Sequence, residues 1–481
     1  VRNAYRAADI RAAEEAFIAT LPDGTLMQRA ASGLARRAAL LLQDRFGGVA
    51  GRRVLLLVGA GNNGGDALYA GARLASRGAR VSAVLLNEQP HAGGLAALTA
   101  AGGMLDMSGM ADLVIDGLLG TGAHGGLREP AAALVASMDG VEATDGGRPV
   151  MVAVDLPSGI DVDTGAVPGE AVRADVTVTF GVLKPGLVVG RGAVRSGHVE
   201  VVDIGLVPWL RAEPVVRVPD NDDVRGWWPY PGPGDDKYTR GVVGLATGSG
   251  TYPGAAVLSV AGALAGPTGL VRYAGRAADA VRTHHPSVIS VDQVADAGRV
   301  QAWVCGSGLG TDEFALGEVR AVLAADVPVC LDADALSLVA SHDLVRELTA
   351  RAKPTVVTPH DREFARLAGA EPGDDRVGDA LKLAARLGIT VLLKGDRTIV
   401  ATPDGRAYAN PTGTADLATG GTGDVLAGLL GSLLAGGLPP ERAALAAAYV
   451  HGLAGRIAAE AGPVTATMVA DALRAAVRVV H

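Results

Sequence analysis

The chain is short of cysteine, of aromatic residues and of any excess of basic charge, and each shortage excludes something. Only two cysteines occur, Cys305 and Cys330. Both sit in apolar, strand-like runs, so a disulfide framework is unsupported and buried free thiols in a reducing compartment are expected. Lys and Arg number 43 against 51 Asp and Glu, a formal net charge of −8. That balance argues against general nucleic-acid binding, which needs a basic field, while leaving room for a local phosphate pocket. No apolar run reaches the roughly 20 residues of a membrane-spanning helix. Residues 1–17 carry charges throughout and do not resemble a signal peptide. Short internal repeats and low-complexity tracts are also missing. Aromatics at 4% beside 67 glycines would hint at disorder, but a hydrophobic fraction of 49% does not. A soluble, cytoplasmic protein is the expectation, with no nucleic-acid or membrane partner.

What is present is a repeating texture. The 481 residues exceed one core and suggest two or three domains. Val/Leu runs at 54–59, 81–86, 113–120 and 150–159 each lead into a Gly-rich turn and a helical pattern, as buried parallel strands do. Runs at 177–181 and 199–205 would close that first sheet. From 207 to 237 the chain turns dense in Pro, Gly and charge, marking an inter-domain crossing. Trp227 and Trp228 in this stretch serve either as a docking patch or as a lid on the second core. A second series follows at 242–249, 303–310, 327–336, 355–360, 390–395 and 398–410, and long Ala-rich helices end the chain. The expected architecture is α/β in two domains. A Rossmann-like doubly wound sheet would occupy 1–212, a linker 213–236, and an α/β/α sandwich 237–481, with ligand sites beyond the strand C-terminal ends. The Ala-rich helices suit subunit contacts in a homo-oligomer and a monomeric core equally.

The most informative ten residues are TGGTGDVLAG, 419–428. Glycines there let backbone N–H groups turn toward one point, and the helix that follows adds unpaired donors and a partial positive charge. An anion cradle results. Asp424 beside it would repel a phosphate, so it makes sense as the base that deprotonates a hydroxyl meeting that phosphate. Other strand ends accompany it. TPHDRE at 358–363 places His360 and Glu363 at a helix start, which is either functional or an ordinary Pro-bearing start with an acid. LKGDRT at 393–398 offers Lys394 and free amides to nucleotide phosphates, or makes a surface turn. LDADAL at 331–336 sets Asp332 and Asp334 on one side of an extended segment, where they can hold Mg²⁺ through water or cap a helix. GSGLG at 306–310 and GSGTYPGA at 248–255 add two more Gly turns.

With GSGTYPGAA, GSGLG, LDADAL, TPHDREF, LLKGDRT and NPTG…ATGGTGDVLAG in this order, the chain from about residue 222 onward resembles the ADP- or ATP-dependent NAD(P)H-hydrate dehydratases of the ribokinase superfamily. The resemblance implies a ribokinase-like fold in which ADP or ATP phosphorylates the hydroxyl of hydrated NADH or NADPH. Phosphate elimination then restores the reduced ring. It implies that Asp424 is the base and that Ala255, Gly308 and His360 line the hydrate site. Lys394, Gly395, Asp396, Arg397, Thr398 and Gly423 would hold the nucleotide, with Mg²⁺. Two stretches depart from the family pattern, PTGTADLA at 411–418 and GALAGPTGLVR at 262–272, which bears on donor preference.

In the first module, VGAGNNGGD at 58–66 follows a strand and opens a helix. It reads as a Rossmann-like phosphate turn without dinucleotide spacing, and its adjacent Asn62 and Asn63 suit a monovalent cation or a substrate hydroxyl. Two later strands end in Asp116 and Asp155, and adjacent parallel strands would bring these acids and Asn63 to one rim. The plainer reading has each acid cap the next helix. The 120–126 loop would give amides to a phosphate. Residues 5 to about 205 resemble the NAD(P)H-hydrate epimerase (YjeF N-terminal-type) domain, through GAGNNGGD, DGLLGTGAHG, DLPSGID and FGVLKPG, with Ala67 where a glycine is usual. That resemblance implies exchange of the R and S epimers with a potassium ion held by Asn63, Asp116 and Ser158. Asn62, Asn63, Gly64, Gly65, Asp66, Gly120, Thr121, Gly122, Ala123, His124, Gly125, Gly126 and Asp155 would form the substrate site. Asp155 would be its acid/base and Lys184 a helper. A bifunctional repair enzyme, isomerase and lyase, is the joint expectation. The alternative is a small-molecule kinase fused to a non-catalytic nucleotide-binding domain.

Overall fold

A computed structural model describes residues 1–106, 109–122 and 125–481. Two compact units emerge, one of Asn3–Val215 and the other of Val1–Arg2 with Val216–His481.

In the first unit, six strands rich in Val, Leu and Ile form a sheet in the spatial order Arg80–Leu85, Arg53–Val58, Leu113–Gly117, Val150–Val154, Val176–Phe180, His198–Val202. Every pairing is parallel. Strands buried on both faces read as continuous apolar runs rather than alternations, which is why they were legible. The chain first steps outward from Arg53–Val58 to Arg80–Leu85 and then returns to Leu113–Gly117 on the other side. That reversal opens a crevice at the C-terminal ends of the two central strands, where ligands of such sheets bind. The helices Ala7–Ile18, Thr25–Phe46 and Asn62–Ala75 bury an apolar stripe in the main core. A second cluster, around Leu55, Leu57 and Met138, fills the opposite face.

In the second unit the strands run Val216–Val218, Ala407–Ala409, Ile399–Ala401, Thr390–Leu393, Thr355–Val357, Val329–Leu331, Ala302–Cys305, Val242–Ala246, Leu270–Ala274, Ile289–Val291. From Thr390–Leu393 to Ile289–Val291 the ladder is parallel, and Ile399–Ala401 turns it antiparallel through a hairpin. The stretch 262–272 proves to be a helix end, a turn and the start of the strand Leu270–Ala274. Within 213–236 lie the strand Val216–Val218 and the helix Asn221–Trp227, and Trp228 is buried in the core with Trp227 packed against it. The tryptophans therefore pack rather than dock. Cys305 and Cys330 are buried free thiols, and burial raises the pKa of each. Among the described residues no helix is long and apolar enough to cross a membrane.

The helix opened by the 419–428 stretch, Thr422–Ala435, lies almost backbone to backbone against Pro253–Ala265. A Cβ built on Gly428 would fall 1.8 Å from the Ser259 carbonyl oxygen, and one on Gly262 2.1 Å from that of Val425. Contacts that short force the helices apart. Gly428→Ala is therefore expected to cost about 3 kcal/mol, read as a lowered urea midpoint. Gly317→Ala is the control, on a helix where an added methyl meets nothing within 4 Å. It should stabilise by about 0.5–1 kcal/mol. Equal midpoints for the two variants would refute the close approach.

Two candidate active sites

The second unit's site gathers at the C-terminal ends of its parallel strands. Thr422–Ala435 begins at Gly421, which takes φ +91° and offers no side-chain cap. The first-turn amides thus keep no partner of their own, as an anion cradle requires. The Asp424 carboxylate folds back over this end, for a Cβ at Gly421 would lie 3.9 Å from its Oδ2. A Cβ at Gly423 would lie 3.7 Å from Lys394 Nζ, so the ammonium covers the same turn. Burial pushes the Asp424 carboxyl up to about 7, Asp332 adding to the rise while Lys394 and a Ser307 hydrogen bond oppose it. A carboxylate tuned there is matched to proton transfer near neutrality.

Lys394 is itself held. Its Nζ donates to Asp332 Oδ1 at 2.7 Å and lies 3.5 Å from Glu363 Oε2. Burial alone would lower the lysine, but Asp332 and Glu363 outweigh it and raise its pKa. Asp332, buried, also accepts from Ser307 Oγ at 2.9 Å and Thr358 Oγ1 at 2.7 Å. The sequence placed Asp332 and Asp334 on one side of an extended segment, and this is corrected. Ala333 between them adopts φ +47° and ψ −114°, so the two acids diverge, and Asp334 Oδ2 accepts from the Gly310 amide at 2.9 Å. His360 caps the helix Asp361–Ala368 in a capping box with Glu363, its Nδ1 accepting from the Arg362 and Glu363 amides. Both donors need an unprotonated Nδ1, so the ring proton sits on Nε2, 3.4 Å from Glu363 Oε1. Gly308, at φ +61°, adjoins Ala255: a Cβ there would meet the Ala255 methyl at 2.6 Å. Gly395 to Thr398 form the hairpin turn after Thr390–Leu393, closed by Thr398 Oγ1 to the Gly395 carbonyl at 3.0 Å. Arg397 from this turn and Arg456 both donate to the Gly413 carbonyl, at 3.2 and 3.3 Å.

Sequence reasoning missed Arg456, the Ser307 and Thr358 contacts to Asp332, and His451. The last is buried beside the cradle with Nε2 unpartnered. Burial pushes it down to about 4, with Thr422 opposing and Lys394 adding. In sequence it is one polar residue inside an Ala-rich helix, with no motif to flag it.

The first unit's site lies at the crevice. A Cβ at Gly59 would fall 1.9 Å from the Leu118 carbonyl oxygen and one at Gly64 2.2 Å from that of Gly59. Only glycines let the turn, the helix start and the neighbouring loop approach so closely. Asn63 Nδ2 donates to the carbonyls of Leu119 and Val154, at 3.0 and 2.7 Å, which turns its Oδ1 toward Gly120. Asp116 accepts from Ser158 Oγ at 2.7 Å, Ser158 N at 2.8 Å and Leu118 N at 3.2 Å. It is a cross-strand acceptor, not a helix cap. Burial pushes it up to about 6 against the pull of the Ser158 hydrogen bonds. Asn63, Asp116 and Ser158 therefore share one rim of hard oxygens. Thr121, Gly122, Gly125 and Gly126 follow on the adjoining loop, while Ala123 and His124 lie outside the described residues.

Asp155 is the second strand-end acid. It takes φ +67°, a conformation Asp adopts more readily than most residues. Its Oδ1 accepts from Lys184 Nζ at 2.5 Å, Thr179 Oγ1 at 3.1 Å and Phe180 N at 3.2 Å. Lys184, 1% exposed, also donates to Thr179 Oγ1 and the Phe180 carbonyl. Every ammonium proton is thereby assigned, and the pair is rigid.

The two units are thus a Rossmann-like sheet with an oxygen-rimmed crevice and a ribokinase-like sheet with an uncapped helix start beside Asp424 and Lys394. The second resembles a ribokinase-like superfamily protein of Enterococcus faecalis, 24% identical at a TM-score of 0.51 over 55% of this chain and 96% of that one, a likeness of fold. Residues 243–477 match the NAD(P)H-hydrate dehydratase family and residues 23–186 the YjeF-related protein N-terminus. The bifunctional NAD(P)H-hydrate repair enzyme of Mycobacterium leprae is 49% identical over 475 residues, 96% of each chain. That of Mycobacterium tuberculosis is 51% identical over 412 residues, 85% of this chain and 84% of its own. The NAD(P)H-hydrate epimerase of Microbacterium testaceum is 46% identical over 223 residues, 44% of this chain and 83% of its own. This chain belongs to the bifunctional NAD(P)H-hydrate repair enzyme family.

Proposed function

We propose that the chain restores NADH and NADPH from their hydrates in two steps, epimerisation in the first unit and nucleotide-dependent dehydration in the second. The observation that carries the reading is Asp424 beside an uncapped helix start with Lys394 over the same turn. Hydration of the reduced ring puts a hydroxyl on the carbon bonded to the ring nitrogen. Hydroxide leaves poorly and phosphate leaves well. Asp424 takes the hydroxyl proton as the oxygen attacks the terminal phosphorus of ADP or ATP, and AMP or ADP departs. The phosphate bears its charge toward the free amides around Gly423, and Lys394 neutralises it. Loss of phosphate, with a proton from the adjacent ring carbon, then regenerates the dihydronicotinamide. Ala255, Gly308 and His360 would line the hydrate, and Gly395 to Thr398 the nucleotide. Mg²⁺ would be held mainly by the nucleotide's phosphates, since Asp332 is committed to Lys394, Ser307 and Thr358.

Spontaneous hydration gives both epimers, and a stereospecific dehydratase strands one. Asp155, positioned by Lys184, would exchange protons with the hydroxyl in the crevice while residues 62–66 and the 120–126 loop hold the nucleotide portion. The donor set of Asn63 Oδ1, Asp116 and Ser158 Oγ is all oxygen with one buried carboxylate, which suits K⁺. The ion would supply charge for binding substrate phosphate.

Mixed NADH hydrates incubated with ADP or ATP test the whole reading through absorbance of the reduced ring. Complete recovery with release of inorganic phosphate is expected. A stable phosphorylated product would instead indicate a small-molecule kinase.

A further inference from the structure

One buried acid of the 62–66 segment has been given a place beside the substrate but no part in the proton transfers. Asp66 lies past the uncapped first turn of Asn62–Ala75, is 5% exposed, and has its Oδ1 buried with no hydrogen-bond partner. A buried carboxylate without a donor is costly, whereas a buried carboxylic acid is a donor awaiting an acceptor. Burial pushes the Asp66 carboxyl well up, and the charges of Asp155 and Glu14 push it further. Glu14 is a half-buried residue of Ala7–Ile18, where it feels burial first, then Lys184, Asp155 and Arg11. The start of that helix is fastened to both loops of the Asp155–Lys184 pair. Tyr5 N donates to the Leu183 carbonyl at 3.0 Å, and Ala7 N donates to Asp163 Oδ1 at 2.9 Å. Asp66 and Glu14 thus both sense the Asp155 charge, and among the described residues Asp155 is the one of the three carboxyls ion-paired at contact distance. Environments that drive neighbouring carboxyls apart in acidity separate an acid from a base.

Resting on the epimerase reading of this crevice, we propose that Asp66 is the catalytic acid opposite Asp155, with Glu14 as the positioning residue whose charge keeps the proton on Asp66. The hydrate is a hemiaminal, and its carbon inverts once the bond to nitrogen opens. Asp155 takes the hydroxyl proton, the C–O bond becomes C=O, and the C–N bond breaks with its electron pair going to the ring nitrogen. Asp66 delivers its proton to that nitrogen. Rotation about the adjacent C–C bond presents the other carbonyl face. Nitrogen then attacks, its proton returns to Asp66, and the oxygen recovers its proton from Asp155. Atoms and electrons balance with no co-reactant.

The test measures R/S exchange on separated epimers with the full chain, using ADP-dependent recovery of the S hydrate by the same polypeptide as the folding control. Asp66→Asn is isosteric and keeps a hydrogen-bond donor but cannot transfer a proton. Its exchange kcat should fall by about a hundredfold, with KM within a few-fold of wild type. Glu14→Gln removes a negative charge facing Asp66. The alkaline limb of the kcat/KM profile, where Asp66 loses its proton, should therefore move to lower pH. Other groups around the cluster are Arg11, Lys184, Asp155 and His91, and His91 Nδ1 is occupied by the Gly94 amide. All four stay in place in Glu14→Gln, and because Arg11, Lys184 and Asp155 also interact with Glu14, the readout is the alkaline limb alone, compared with the limb that disappears in Asp66→Asn. Asp66→Asn exchanging at the wild-type rate, or an alkaline limb unmoved in Glu14→Gln, overturns the inference. A wild-type chain that recovers the S hydrate yet never exchanges the epimers overturns the epimerase reading itself, which is a different result.

Discussion

Asp424→Asn is expected to lose about a thousandfold or more of the nucleotide-dependent recovery of the reduced ring, while nucleotide affinity changes only a few-fold. The split follows from where each interaction comes from. The phosphate meets backbone amides of an uncapped helix start and the Lys394 ammonium, and the substitution leaves all of these in place. The substitution removes the acceptor of the attacking hydroxyl's proton, and a positioned base is worth about 10²–10⁴ in rate. The pH profile supplies a second reading of the same group. A base acts only when deprotonated, and burial with the Asp332 charge pushes Asp424 up to about 7. The kcat/KM for dehydration should therefore fall as pH drops below about 7, tenfold per unit. Lys394→Met would move that limb to higher pH, because the lysine's charge is what restrains the rise. An Asn variant with wild-type turnover, or a profile flat from pH 5 to 8, would remove Asp424 from the chemistry.

How much of this was legible beforehand depended on whether a residue's partners are its neighbours in sequence. The parallel strands were legible because both faces are covered, so each is a continuous apolar run closed by a Gly-rich turn. Asp116 and Asp155 were legible because each stands at a strand end, and Asn63 because it opens the helix after a neighbouring strand, and such positions on one side of a doubly wound sheet share a rim. The Gly-rich, uncapped helix start was legible because all its parts lie within 419–428. Asp332 was misread because its partners Ser307, Thr358 and Lys394 arrive from three other strand ends, and because Ala333 takes a positive φ that an alanine does not advertise. Glu14 was invisible for a related reason. It sits in a stretch that shows nothing in sequence but scattered charge, and the ties from Tyr5 to Leu183 and from Ala7 to Asp163 fasten that helix to the site. Local rules of propensity and capping thus find the scaffold and fail where long-range electrostatics sets a residue's role.

The Asp155–Lys184 pair gives the largest stability effect. Lys184→Met leaves the side chain's volume nearly filled but strips its partner of the ammonium at 2.5 Å. Asp155 keeps only the Thr179 hydroxyl and the Phe180 amide, both at more than 3 Å. The two side chains are 2% and 9% exposed, so water cannot replace the lost charge. Breaking one half of such a pair costs about 3–5 kcal/mol, more than deleting both, because the remaining charge is buried alone. The double variant Asp155→Asn/Lys184→Met should therefore regain most of that loss. Asn still tolerates φ +67° at position 155 and presents no charge to be compensated. Urea unfolding of the wild type, both single variants and the double variant closes the cycle, and the coupling between the two sites should exceed about 2 kcal/mol. Stability and exchange then part company, since the double variant is folded but has neither the base nor its helper. It should leave one epimer of a mixture unrepaired while ADP still drives recovery of the other. A Lys184→Met protein with the wild-type urea midpoint would mean that the buried carboxylate finds another partner, and the assignment of Lys184 as its counter-charge would be wrong.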